Sequence, residues 1–221
     1  MSEQGPFPED AWELLSPSLT PQRRERMLHS AKHRTRRLRL VIQDTHDPHN
    51  VAACMRSAEA FGIQNIDVVT LKQSSRPSPV SRGVDGWLDR KAHTSVDDCV
   101  KELRAKGFAL AAGYPRQDAV PLSKVPVDKP LAVIFGNEKD GVHSSWLSHL
   151  DYAFTIPMFG FVESLNISVS CAISLHDLSQ RGRERADFYL SSAEQGKLLN
   201  QWICTHIPSF EKQLEILRQQ R

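Results

Sequence analysis

The stretch Leu131-Ala-Val-Ile-Phe135-Gly-Asn-Glu-Lys-Asp-Gly141 places an apolar run of strand length directly before a polar loop with a glycine at each end. A short run without polar alternation is typical of a strand buried on both faces of a parallel sheet. Gly136 and Gly141 allow the backbone to turn sharply and approach a ligand, and Asn137 and Glu138 can hydrogen-bond its polar edge. A plain strand-to-helix turn is the alternative, and the loop lacks the Lys-Ser/Thr ending of a phosphate loop.

Strands and helices alternate on either side of this stretch. The pattern predicts strands over 38–43, 66–69, 87–92, 108–112 and 153–156, and helices over 48–61, 96–106, 167–178 and 194–217, the last interrupted at Pro208. Such alternation predicts an α/β fold with a mostly parallel sheet that is covered by helices on both faces.

A second polar loop, Asp44-Thr-His-Asp-Pro-His-Asn50, follows the predicted strand 38–43. Because parallel strands bring their carboxyl ends to one edge of a sheet, this loop should lie beside the 136–141 loop. It contains no glycine, which weighs against a dinucleotide-binding fold. The next helix displays Arg56 away from its apolar face, where a surface salt bridge is the simpler explanation.

A third loop, Ile156-Pro-Met-Phe-Gly-Phe-Val-Glu-Ser-Leu-Asn166, ends at a predicted helix. Ser164 and Asn166 are good capping residues, and capping is the simpler explanation for both. The loop also exposes Phe159 and Phe161, which is costly unless it covers a flat surface.

Positive charge is concentrated in one segment. The formal net charge is +2, yet residues 21–40 contain eight Lys/Arg and one acid, which leaves 20 basic and 25 acidic residues elsewhere. Thr20 and Pro21 are typical of a helix start, so a basic helix is predicted from Pro21 to about Arg36. The segment favours a nucleic-acid partner, and a solvated helix face is the alternative. The candidate contacts are Arg23, Arg24, Arg26, Lys32, Arg34, Arg36 and Arg37.

The length of 221 residues and the 40% apolar composition predict a single core with terminal extensions. The expected boundaries are a leader and basic arm over 1–37, a core domain over 38–180 and a helical extension over 181–221. Four scattered cysteines without a CxxC motif favour buried free thiols, so no metal site is expected. No stretch approaches the roughly 18 apolar residues of a membrane span, so we expect a cytoplasmic protein without a membrane partner.

Together, the three loops resemble the SpoU/TrmH family of the SPOUT methyltransferases. The matching segments are Pro-His-Asn50…Met-Arg56-Ser, Phe-Gly136-Asn-Glu138-Lys-Asp-Gly141 and Ile156-Pro-Met…Ser164-Leu165-Asn166-Ile-Ser-Val, and the match covers about 38–180. The resemblance implies a SPOUT fold with a C-terminal deep trefoil knot, a rare exception to unknotted topology. It also implies a homodimer that binds S-adenosyl-L-methionine and releases S-adenosyl-L-homocysteine.

The resemblance further implies which residues form the site. The catalytic set would be Asn50, Arg56, Glu138, Ser164 and Asn166. The cofactor pocket would use Gly113, Gly136, Asn137, Ile156 and Leu165. Many relatives have threonine at position 113, so the contact implied for Gly113 is a backbone contact.

The implied reaction is the attack of a ribose 2′-hydroxyl on the sulfonium methyl group of the cofactor. In the family, the residue matching Arg56 has been proposed as the general base. Because deprotonating an arginine is costly near neutral pH, a cation that binds a phosphate and stabilises the developing alkoxide is the alternative role.

The basic N-terminal helix and the extra C-terminal helix resemble the branch of the family that methylates guanosine 18 in the D-loop of tRNA. We therefore expect tRNA as the partner, with rRNA or another tRNA position as the alternative substrate. A non-catalytic RNA-binding protein with the same knot is a rival. An unrelated doubly wound enzyme with a nucleotide cofactor is a second rival, but it would need a glycine-rich first loop.

Overall fold

The computed structural model describes residues 7–45, 47–71 and 86–220. Residues 1–6 of the predicted leader and His46 of the second loop lie outside the described residues. The chain divides into two compact units, with breaks after Arg34 and after Phe188. The boundaries predicted from the sequence are at 37 and 180.

The described helices are α1 (Ala11–Leu15), α2 (Pro21–Lys32), α3 (Pro48–Ala60), α4 (Val96–Ala105), α5 (Ile167–Gly182), α6 (Ser192–His206) and α7 (Phe210–Gln219). The described strands are β1 (Thr35–Gln43), β2 (Ile63–Val69), β3 (Asp89–His93), β4 (Ala109–Gly113), β5 (Val120–Pro121), β6 (Leu131–Phe135) and β7 (Tyr152–Thr155).

Within the described residues, Thr35–Phe188 is built on one seven-stranded sheet. The strand order is β3-β2-β1-β6-β4-β7-β5, and every pairing is parallel. The predicted parallel α/β fold is therefore confirmed, and β6 has the predicted bounds. The short strand β5 was not predicted, because two residues carry no periodicity.

Side chains along the strands alternate between two apolar layers. On β1, Leu40 packs in the layer that contains Met55 of α3 and Leu175 of α5. Its neighbour Val41 packs in the layer that contains Leu103 of α4. Since each layer is closed by helices, both faces of the sheet are covered, as predicted.

The register of β1 and β6 sets the position of the polar loops. Leu38 pairs with Leu131 and Ile42 with Phe135, so the two strands end level with each other. At this edge Oε1 of Gln43 accepts a hydrogen bond from the His143 N–H at 2.9 Å. The loops after β1 and β6 therefore leave the sheet side by side.

The second unit combines the described residues before Thr35 with those after Phe188. In this unit the Asn200 side chain of α6 accepts from the Trp12 N–H at 2.7 Å and donates to the Glu9 carbonyl at 2.9 Å. Arg218 of α7 forms a salt bridge with Asp10. These contacts tie both ends of the described chain into one helical cluster.

The basic helix is shorter than predicted. Helix α2 ends at Lys32, because the Thr35 N–H donates to the Gly62 carbonyl at 2.8 Å and Thr35 pairs with Ile63 as the first residue of β1. Arg36 therefore belongs to a strand, and pairing with β2 overrides its helical pattern.

No helix in the described part of the chain is long and apolar enough to span a membrane.

Candidate active site

The structure brings three predicted site residues from three separate loops into contact. Asn50 lies in the first turn of α3, and its Nδ2 donates to Oε1 of Glu138 at 2.7 Å. Nδ2 of Asn166 donates to Oδ1 of Asn50 at 3.2 Å. A plain turn at 136–141 and simple capping at 166 would leave these contacts unexplained.

The glycine-flanked loop after β6 is a compact turn. The Asn137 N–H donates to the Gly141 carbonyl at 3.0 Å, and the Gly141 N–H donates back to the Asn137 carbonyl at 3.1 Å. Oδ1 of Asn137 accepts from the N–H groups of Lys139 and Asp140 at 2.9 and 2.6 Å. The Asn137 side chain therefore organises the loop itself, while Glu138 stays exposed.

A cavity of about 630 Å³ opens at the carboxyl ends of β4, β6 and β7. This volume is in the range of small-molecule sites. All five residues that were predicted to contact the cofactor line it: Gly113, Gly136, Asn137, Ile156 and Leu165. Glu138, Ser164 and Asn166 also line it, so cofactor and catalytic candidates share one space.

Gly136 permits a close backbone contact inside the 136–141 loop. A β-carbon on Gly136 would lie 1.8 Å from the Gly141 carbonyl oxygen, so only glycine fits there. Gly113 has ordinary room, since its added β-carbon would lie 3.6 Å from the Phe154 ring. The cavity lining combines apolar residues such as Phe135 and Phe154 with polar residues such as Glu138, which suits a ligand with both apolar and polar edges.

Arg56 is exposed on α3 and lies outside the cavity lining. Within the described residues, the structure shows no hydrogen bond or salt bridge to its guanidinium. The surface salt bridge considered above is therefore not formed in that part of the chain. Arg56 and Asn50 lie on the same helix, six positions apart.

The remaining candidates differ in what they contact. Ser164 is exposed at the cavity wall. Asn166 caps α5, since its Oδ1 accepts from the Ser168 N–H at 2.8 Å, and it also contacts Asn50. Sequence reasoning missed Ser168, whose hydroxyl donates to the same oxygen at 2.6 Å. A serine two residues after a capping asparagine was the available signal.

The third loop and the helix after it expose apolar side chains. Phe159 and Phe161 are fully exposed, as predicted, at 98% and 108% of their reference areas. Val169 and Ile173 of α5 are also exposed. Large exposed apolar groups so close together in sequence are typical of a surface that another molecule covers.

The seven basic candidates fall into two groups. Arg23, Arg24, Arg26 and Lys32 are exposed on α2. Arg34, Arg36 and Arg37 correct the prediction of a free arm. Arg34 is 2% exposed, with its guanidinium 5.2 Å from the Trp202 ring centre. Arg36 bonds to Asp89 at 2.7 Å, and Arg37 bonds to Asp187 at 2.8 Å.

One buried cluster has side chains of the metal-binding type. Asp67, His93 and Cys99 place their ligand atoms within 4.8 Å of one another. Nε of Arg39 already lies 2.9 Å from the Asp67 carboxylate, and His93 bonds to the other oxygen at 2.8 Å. Burial, followed by the charge of Asp67, raises the pKa of the Cys99 thiol to about 12, so Cys99 is a neutral thiol beside this ion pair at neutral pH. The cluster is best explained as a structural ion pair.

The fold and the cavity define a class of protein: an open parallel α/β protein whose ligand site lies at the carboxyl edge of its sheet. Comparison with known proteins gives the family. A family model described as the SpoU rRNA Methylase family matches residues 37–176. The chain therefore belongs to the SpoU methylase family, and it is a methyltransferase.

Individual relatives agree with this assignment. The chain is 31% identical over 188 residues to the tRNA (guanosine(18)-2′-O)-methyltransferase of Escherichia coli, covering 82% of each chain. It is 33% identical to the enzyme of the same name from Thermus thermophilus, covering 83% of this chain and 97% of the relative. The solved structure of the A. aeolicus TrmH/SpoU tRNA modifying enzyme matches 85% of this chain and 98% of that chain, with a TM-score of 0.74. At 23% identity, this last likeness supports the fold alone.

Proposed function

We propose that the protein transfers a methyl group from S-adenosyl-L-methionine to a ribose 2′-hydroxyl of RNA, with guanosine 18 of tRNA as the target nucleotide. The observation that carries the proposal is the contact of Asn50, Glu138 and Asn166 beside a cavity lined by all five cofactor candidates. A non-catalytic RNA-binding protein would have no use for this joint arrangement.

The tRNA assignment is supported by the extent of the similarity. The two relatives named for guanosine 18 match 82% and 83% of this chain, which is more than the sheet unit alone. A 23S rRNA (guanosine-2′-O-)-methyltransferase of Xanthomonas axonopodis is 31% identical but matches 64% of the chain. Modification of rRNA is the second candidate function.

The cofactor, when bound, supplies an activated methyl group on a sulfonium. The residues that would hold it are Gly113, Gly136, Asn137, Ile156 and Leu165, at the cavity wall. Their task is to orient the methyl group in line with the attacking 2′-oxygen, and positioning of this kind contributes about 7 to 11 kcal/mol.

The substrate side of the reaction falls to the catalytic set. Arg56 binds the phosphate of the target nucleotide as a cation and stabilises negative charge on the 2′-oxygen as the hydroxyl proton passes to water. Ser164 and Asn166 hold the ribose, and Asn50 with Glu138 keeps this edge of the cavity ordered. The exposed basic residues of α2 supply phosphate contacts: Arg23, Arg24, Arg26 and Lys32.

The proposal includes a cytoplasmic homodimer with the deep trefoil knot of the family. The exposed side chains of Phe159, Phe161, Val169 and Ile173 support self-association, because a symmetric partner would remove them from water. The order β6-β4-β7 in the sheet, which departs from chain order, is compatible with the knot. Sedimentation analysis at micromolar concentration tests the dimer.

The central experiment is incubation of the protein with tritiated S-adenosyl-L-methionine and unmodified tRNA or rRNA transcripts, followed by mapping of the labelled nucleotide. We expect label on the ribose of guanosine 18 in tRNA. Label on rRNA alone would favour the second candidate. Titration calorimetry with S-adenosyl-L-homocysteine distinguishes the two methyltransferase functions from a non-catalytic RNA-binding protein. The non-catalytic protein should not bind this ligand and should give no heat.

A further inference from the structure

Four polar side chains at the site form a hydrogen-bond chain that runs in one direction. The hydroxyl of Ser168 donates to Oδ1 of Asn166 at 2.6 Å, and the Ser168 N–H donates to the same oxygen at 2.8 Å. Asn166 donates to Asn50 at 3.2 Å, and Asn50 donates to Glu138 at 2.7 Å. Each link therefore points toward the Glu138 carboxylate.

The direction is set by the start of α5. A terminal amide can be turned by 180° in principle, which exchanges its donor and its acceptor. The Ser168 N–H is a backbone group that can only donate, so the atom of Asn166 that faces it must be the carbonyl oxygen. The Nδ2 of Asn166 must then point away from the helix, toward Asn50.

The same logic passes along the chain to Glu138. Because Asn166 presents a donor, Asn50 must present its carbonyl oxygen to Asn166 and its Nδ2 to Glu138. Oε1 of Glu138 is therefore held as an acceptor. Within the described residues, the structure shows no hydrogen bond to the second oxygen, Oε2, and Glu138 lines the cavity.

We propose that Ser168 is a positioning residue at the start of a one-way hydrogen-bond relay through Asn166 and Asn50. Its N–H sets the direction of the relay, and its hydroxyl holds the Asn166 amide in that orientation with a second bond, so that Ser168 fixes which oxygen of Glu138 serves the cavity. The relay leaves Oε2 as the carboxylate oxygen for a donor that the substrate or Arg56 brings to the site. The role of Ser168 in methyl transfer rests on the proposed function. The direction of the relay does not rest on it and can be tested by measuring stability alone.

The stability test reverses the relay. In Asn166→Asp an oxygen replaces the Nδ2 group, so Asn50 must turn its amide and present an oxygen to Glu138. Glu138→Gln then supplies a donor, Nε2, to that oxygen. We expect Asn166→Asp to lower the melting temperature and the added Glu138→Gln to recover most of the loss. In the wild-type background Glu138→Gln should change the melting temperature little, since glutamine can still accept a hydrogen bond from Asn50.

A charge control separates direction from simple repulsion between carboxylates. Glu163 lines the same cavity and is also acidic. Glu163→Gln removes a carboxylate without touching the relay, so it should not recover the Asn166→Asp loss. An equal effect of Glu138→Gln in both backgrounds, or equal recovery by Glu163→Gln, would overturn the relay.

The kinetic test addresses the role of Ser168 in catalysis. Ser168→Ala should lower kcat about 2- to 10-fold, the effect of one hydrogen bond, while the cofactor KM stays within twofold. Ser168→Thr keeps the hydroxyl and should restore kcat. An unchanged kcat in Ser168→Ala, or a loss that threonine does not restore, would contradict the positioning role. If the protein methylates no RNA, the stability test still decides the relay.

Discussion

Gly136 approaches the carbonyl oxygen of Gly141 so closely that a β-carbon on Gly136 would lie 1.8 Å from that oxygen. Gly141 itself has a φ of +67°, in the left-handed region that glycine tolerates best. The glycines at the two ends of the loop thus serve different needs, close backbone approach at one end and an unusual dihedral at the other.

A first prediction follows from this contact. Gly136→Ala must push the 136–141 loop away from its place, so we expect the affinity for S-adenosyl-L-homocysteine to fall at least tenfold, with a stability loss of about 1 to 3 kcal/mol. Titration calorimetry and thermal melting measure the two effects. Gly196→Ala is the matched control, since nothing lies within 4 Å of its added β-carbon inside α6. Wild-type affinity in Gly136→Ala would contradict the close approach.

Arg56 provides a second prediction. Arg56→Ala should abolish methyl transfer while the affinity for S-adenosyl-L-homocysteine stays within a few fold, because Arg56 lies outside the cavity lining. Transfer is measured with tritiated cofactor and unmodified tRNA. Lys101→Ala, an exposed cation of α4, should keep wild-type turnover. Retained turnover in Arg56→Ala would remove Arg56 from the catalytic set.

The basic helix gives a third prediction, which contrasts exposed with buried cations. Arg26→Ala with Lys32→Ala should weaken tRNA binding and reduce its salt dependence by about 0.9 per lost duplex phosphate contact, or about 0.7 on single strands. Filter binding across a salt series measures the slope. Lys212→Ala, exposed on α7, is the control. An unchanged slope in the double variant would show that α2 does not contact RNA.

Arg34→Ala should behave in the opposite way. Since Arg34 is 2% exposed and lies over the Trp202 ring, its loss should cost about 2 to 4 kcal/mol of stability and leave the salt slope unchanged. Chemical denaturation measures the loss of stability in Arg34→Ala. A reduced salt slope without a loss of stability would return Arg34 to the RNA-binding set.

The thiols give a fourth prediction. Burial raises the pKa of Cys204 to about 11. Burial, together with a hydrogen bond that the Cys171 thiol donates to Cys54, holds the pKa of Cys171 well above its usual range. All four cysteines are free and buried, as the sequence predicted. Because the thiolate is the reactive form, iodoacetamide at pH 8 should label the native protein slowly and the denatured protein fully. Rapid native labelling, read by mass spectrometry, would contradict this packing.

Glu102 gives a fifth prediction, on pH. Burial alone would raise its pKa, but hydrogen bonds from Lys106 and Lys91 lower it from 4.5 to about 2. The folded state therefore gains stability from this carboxylate above about pH 4.5, and the gain is lost as the pH falls toward 2. Glu102→Gln should be less stable than wild type at pH 7, and the difference should shrink below pH 4.5. Urea titrations measure the stability difference between wild type and Glu102→Gln. A difference that stays constant down to pH 3 would show that it does not come from the lowered pKa of Glu102.

The sequence predicts the central strands better than the edges of the fold. The run Leu131–Phe135 matches β6 residue for residue, because a continuous apolar segment with a glycine after it leaves few alternatives. β1 begins earlier than predicted, at Thr35, where charged side chains mask a strand that Ile63 of β2 stabilises. Backbone pairing of this kind is a tertiary effect, and no local pattern carries it.

At the site, too, contacts between residues that are far apart in the sequence could not be predicted from local patterns. Asn50 is separated by 88 positions from Glu138 and by 116 from Asn166, so spacing alone could not predict their contact. The family resemblance groups these residues without reference to their geometry. Ser168 was missed because its role depends on the direction of hydrogen bonds, which becomes visible only once the donors and acceptors are placed.

The helical unit that joins the two ends of the described chain also has a consequence for biosynthesis. Helix α1 is synthesised before residues 35–188, whereas Asn200 and Arg218, which hold the Glu9–Trp12 segment, are synthesised after them. At about 5 to 20 residues per second, the wait is roughly 8 to 30 seconds. Until then the Glu9–Trp12 segment lacks the side chains that hold it in the folded protein.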